Sequence, residues 1–114
     1  MSDGGAIEAI ERVLNRGGDP DDVLREVVTI LHERLARFVR ISFVEEETLA
    51  PGPAAGEETR VTSFPIAWQG RRVAALEVGG ALTEVDRALL DRVATIVSPY
   101  ALVGWDTGGE AWTP

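Results

Sequence analysis

SFPIAWQGRRVAALEV, Ser63–Val78, decides the fold. Two apolar runs flank Gln69-Gly70, so the stretch predicts two antiparallel strands, Thr59–Trp68 and Arg71–Val78, joined by a tight turn. Pro65 has no N–H to give to a ladder, which places its strand at a sheet edge or leaves it paired on one side there. A hairpin of this kind has two faces to bury, and the rest of the chain must supply the cover.

Upstream, Ile7, Ile10, Val13 and Leu14 recur at helical spacing and stop at Gly17-Gly18, a natural helix end. The next segment, DPDDVLREVVTILHERLARF, predicts a second helix. Asp19 is placed to cap it, Pro20 suits its first position, and Asp21 and Asp22 complement the positive end of its dipole. Its core stripe is Leu24, Val27, Val28, Leu31 and Leu35, with Val23 on the flank. FVRISFVE then alternates Val39, Ile41 and Phe43 with Arg40, Ser42 and Val44, the pattern of a strand with one apolar and one mixed face. A short strand is expected around Thr48–Ala50, followed by a Pro/Gly/Ala loop over Ala50–Glu58. Beyond the hairpin, Thr83 with Asp86 forms a capping-box pattern. The helix it opens carries Leu89, Leu90, Val93, Ile96 and Val97 inward and is ended or kinked by Pro99. No internal repeat is present, and the expectation is one domain over residues 1–103 with a Gly/Trp tail over 104–114.

The composition excludes several functions. With 114 residues, 45% of them hydrophobic, the chain is long enough for one core and too apolar for wholesale disorder. A net charge of -8 argues against nucleic acid, whose phosphates need clustered cations. The absence of cysteine removes disulfides, thiol redox chemistry and thiolate metal sites. No apolar run approaches the roughly 20 residues that span a bilayer, and the acidic start MSDGGAIE lacks a signal-peptide pattern. A cytoplasmic protein with no membrane partner is expected.

The order helix, helix, strand, short strand, loop, hairpin, helix resembles the GAF domain, a sensor fold related to PAS. The likeness is carried by FPIAWQGRRVAALEVGGALTEVDRALLDRVATIV, Phe64–Val97, which looks like the family's closing pattern. TLAPGP, Thr48–Pro53, is similar to a Leu-x-x-Gly-Pro element of the free methionine sulfoxide reductase branch. The resemblance implies an α+β fold in which the N-terminal helices and the last helix cover one face of an antiparallel sheet. Family ligands would sit on the opposite face under a mid-chain cap. Here only the segment Ala50–Glu58 stands where that cap would be, too short for a helix of ~10 residues, so an enclosed cyclic-nucleotide or chromophore pocket is not expected. Helix-flanked sheets of the profilin or roadblock type share much of the same element order.

Alternation puts Arg40, Ser42, Val73, Ala75 and Glu77 on the face away from the helices. The resemblance pairs the first strand with the last, which makes Arg40 and Glu77 cross-strand neighbours, and it aligns Glu77 with an acidic ligand-binding position of the reductase branch. The branch's next acidic position is Gly79 here, and its cysteines are absent. Two readings follow for Arg40, Ser42 and Glu77: a partly exposed ion pair worth ~0.2–1 kcal/mol, or a ligand site in which Arg40 receives an anionic group that Glu77 and Ser42 orient. Glu45–Glu47 read as a solvated rim rather than a cation site, since adjacent strand carboxylates diverge. His32 has no second histidine to work with, and Ser98 reads as a helix end. Trp68, Trp105 and Trp112 ask for cover, from tail packing or from a dimer contact.

The function expected is a non-catalytic sensory or protein-interaction module without cofactor or metal, homodimeric through its first and last helices. The alternative is a small-molecule sensor with its pocket at Arg40, Ser42 and Glu77.

Overall fold

The computed structural model describes residues 2–102, with side chains from residue 5 onward. Trp105 and Trp112, and the tail that holds them, lie outside the described residues. The elements are α1 (Ser2–Arg16), α2 (Pro20–Arg34), β1 (Phe38–Glu45), β2 (Thr48–Gly56), β3 (Val61–Trp68), β4 (Arg71–Gly79) and α3 (Glu84–Ile96). The strands form one antiparallel sheet in the order β2-β1-β4-β3. α2 lies on β1 and β2, α3 lies on β3 and β4, and α1 packs against both helices. This is the α+β architecture with helices on one sheet face.

Local chemistry accounts for most of the element ends. α1 stops where Gly17 and Gly18 take φ of 76° and 120°, values that side-chain-bearing residues rarely adopt. Pro20 opens α2, but the Asp19 side chain makes no capping hydrogen bond; only its carbonyl joins the helix, accepting from Val23 N at 3.0 Å. Thr83 and Asp86 complete the expected box at the start of α3, each side chain accepting from the other's backbone N–H at 3.0 Å. α3 breaks at Val97, helical residues resume at Ser98, and Tyr100 donates its hydroxyl proton to the Leu14 carbonyl at 3.1 Å. That bond ties the C-terminal turn back to α1.

The core lies between α2, α3 and the sheet. Leu24, Val27, Val28 and Leu31 meet Val39, Ile41, Leu76 and Val78, with Leu90 and Val93 closing the far side. Val23 is fully part of this core rather than flanking it, and Leu35 is only half-buried. Among the described residues no helix is long and apolar enough to cross a membrane.

The expected Pro/Gly loop is a strand. β2 runs through Pro51 and Pro53 to Gly56 and pairs with β1 over its whole length. It can do so because β2 is an edge strand, which needs ladder partners on one side only. The register jumps between Arg40↔Ala54 and Ser42↔Pro51, so β2 carries one extra residue there. Gly52 sits in that irregularity against the Phe43 ring, and a Cβ on it would overlap the ring and approach the Ile41 carbonyl oxygen to 2.6 Å. The connection from β2 to β3 is therefore only residues 57–60, shorter still than the nine-residue loop expected.

Candidate functional site

Register sets the central side chains. β1 pairs with β4 so that Arg40 lies opposite Glu77 and Ser42 opposite Ala75, all four on the face away from the helices. Arg40 Nε donates to Glu77 Oε1 at 2.7 Å, and Ser42 Oγ donates to the same oxygen at 2.6 Å. Arg40 Nη1 also donates to Glu58 on the 57–60 connection at 3.1 Å. The guanidinium carbon lies 5.4 Å from the centre of the Phe38 ring, within cation–π range. The three side chains singled out in the sequence are thus one network, joined by Glu58.

Burial separates this network from a surface ion pair. Ser42 is 2% exposed and Glu77 7%, comparable with the apolar core on the opposite side of the sheet. The Glu77 hydrogen bond, outweighing the opposing effect of burial and reinforced by Glu58, holds the Arg40 guanidinium above its ordinary value. A charge pair in this setting interacts more strongly than the exposed pair considered from sequence.

Gly79 is tightly packed: a Cβ at this position would overlap the Thr59 Cγ2 methyl and lie 3.2 Å from Phe38 Cβ, so a side chain here requires Thr59 to shift.

Four cavities can be described, and Arg40, Ser42 and Glu77 line none of these four. One of about 620 Å³ opens beside His32, Arg37 and residues 56–59. His32 is half-buried there, its Nδ1 3.0 Å from the Ala36 carbonyl oxygen, which makes Nδ1 the donor. Another, of about 360 Å³, lies between the ends of β1 and β4 and the turn at Ala101-Leu102. Ser98 Oγ donates to the Thr95 carbonyl at 2.9 Å, the helix-end role read from sequence. Among the described residues no three His, Asp or Glu side chains are grouped to hold a metal ion.

Sequence reasoning missed Glu58. Placing it at the end of a free loop hid that β2 carries residue 58 back across the sheet toward Arg40. It also missed Arg71 and Arg72 as neighbours of a cavity, because strict alternation would send them to opposite faces.

The four-stranded antiparallel sheet and one-sided helical layer define a GAF-like fold. Among solved structures the chain is similar to the type II free methionine-R-sulfoxide reductase from Thermoplasma acidophilum, with a TM-score of 0.65 and 13% sequence identity over 75% of this chain and 94% of that one. At that identity the likeness shows the fold alone. No family model matches the sequence, and no curated protein does.

Proposed function

We propose that the chain is a non-catalytic GAF-like module for sensing or protein interaction, self-associating through α1 and α3. The observation that carries this reading is the state of the sheet face where the resemblance puts ligands. Arg40 bonds Glu77 and Glu58 there and Ser42 bonds the same Glu77 oxygen, no described cavity is lined by Arg40, Ser42 or Glu77, and four residues connect β2 to β3. The chain also lacks the cysteines that the resemblance requires for redox catalysis.

Self-association through the helical layer would be polar in character. Within the chain Glu11 pairs with Arg92 and Arg16 with Glu26, which leaves Glu8 and Arg12 on the outward side of α1 and Arg87 and Asp91 on that of α3 to meet opposite charges of a second copy. Val85, 62% exposed, is the large apolar side chain on the outer surface of α3. Light scattering at two protein concentrations and two salt concentrations tests this. The expected result is a dimer that dissociates on dilution and at high salt. A monomer at every concentration and salt would overturn the dimeric reading.

The second reading, a small-molecule sensor at the same face, is favoured by one observation. Glu77 Oε2 has no hydrogen-bond partner among the described residues although its side chain is 10% exposed. A ligand donating to that oxygen would raise the melting temperature.

A further inference from the structure

We propose that the cavity at the β1/β4 end of the sheet binds a small apolar monocarboxylate. This goes beyond the self-association of the module and stands or falls without it. The cavity, about 360 Å³, falls within the roughly 300–1,000 Å³ of ordinary ligand pockets. Its apolar lining is Phe43, Val44, Val73, Ala101 and Leu102.

Its charged lining is two arginines and two glutamates. Arg71 and Arg72 are the arginines, and neither has an ion-pair or hydrogen-bond partner among the described residues. Their convergence has a structural cause. The β3–β4 register runs Ile66↔Ala74 and then Ala67↔Arg72, so Val73 is an extra residue in β4. Such a bulge breaks the alternation of side chains, and it lets Arg71, Arg72 and Val73 border one cavity. Bulges re-aim side chains in this way next to binding sites.

Glu45 and Glu46 also line the cavity, the latter in a turn with φ of 50°. They set the class of ligand. A carboxylate can take the fork of a guanidinium, which is the geometry arginine supplies best. A second negative charge would meet the glutamates, so dianions are disfavoured. The body of the ligand must be apolar to lie on Val44, Val73 and Leu102.

The test is calorimetric titration of the full chain with phenylacetate and hexanoate, compared with phenylacetamide and the dianion glutarate. Saturable binding of the monocarboxylates is expected, with the amide and the dianion weaker by about tenfold or more. The Arg71→Gln/Arg72→Gln double variant should lose about tenfold or more in phenylacetate affinity, with Arg34→Gln, exposed at the end of α2, unchanged. In the parent protein, amide resonances of Val73 and Leu102 should shift on addition of phenylacetate. Acid and amide binding equally, the double variant binding as tightly as the parent, or shifts confined to other elements would overturn the proposal. So would the absence of saturation by either monocarboxylate at about 10 mM, well above the weakest affinity a built pocket should show.

Discussion

Glu46 and Glu47 turn the β1–β2 hairpin with φ of 50° and 72°, both in the left-handed region. Two-residue hairpin turns with positive φ at both positions favour Asn-Gly or Gly-Gly, and a glutamate there is strained. Replacing Glu47 by glycine relieves that strain and removes one of three adjacent negative charges. Glu47→Gly should stabilise the fold by about 0.5–1 kcal/mol in urea denaturation; a loss of stability would contradict the strain account. Asp21 is a second residue under tension. Burial first, then the neighbouring Asp19, pushes its carboxyl above the ordinary value of 3.8. A carboxyl whose folded pKa is raised opposes folding while charged, at pH above the folded value. The penalty fades as pH falls through that value and is gone below the unfolded one. Asp21→Asn should therefore be more stable than the parent at pH 7, with the gap narrowing as pH falls through the raised folded value and closed below the ordinary 3.8. A gap that stays constant with pH would remove the charge from the explanation.

At the scale of elements, the helices and the β3–β4 hairpin were legible because their signals are local. The Thr83/Asp86 box, the Gly17-Gly18 stop and the Gln69-Gly70 turn each act within a few residues, and each appears where the pattern puts it. β2 was not legible. Two prolines and two glycines in nine residues read as a loop, and only the neighbouring β1 and the free outer edge make a strand of them. The error propagated to function: with β2 read as a loop, Glu58 could not be placed beside Arg40. The cross-strand pairing of Arg40 with Glu77 was legible once the resemblance supplied the strand order, whereas their burial was not, since cover comes from elements remote in sequence. Gly52 tests the observed β2 directly. In a mobile loop Gly52→Ala would be nearly neutral. Against the Phe43 ring and the Ile41 carbonyl it should destabilise by about 2–3 kcal/mol, read as a lower denaturation midpoint at unchanged slope.

The whole molecule is organised around two unlike sheet faces. One is covered by helices in the ordinary way, with aliphatic side chains filling the space between α2, α3 and the strands. The other is closed at its centre by charge: Arg40 bridges Glu77 on β4 and Glu58 on the 57–60 connection, linking the middle of the sheet to its edge crossing. None of the four described cavities is lined by Arg40, Ser42 or Glu77. Arg40 on β1 and Glu77 on β4 tie the two central strands together on this face. The most direct test is a double-mutant cycle with Arg40→Met and Glu77→Gln, read as the free energy of global unfolding in urea. The account predicts that the two changes are strongly non-additive, with a coupling of about 1–3 kcal/mol between the side chains. Additivity within about 0.3 kcal/mol would contradict it, because the two charges would then not be holding the sheet together.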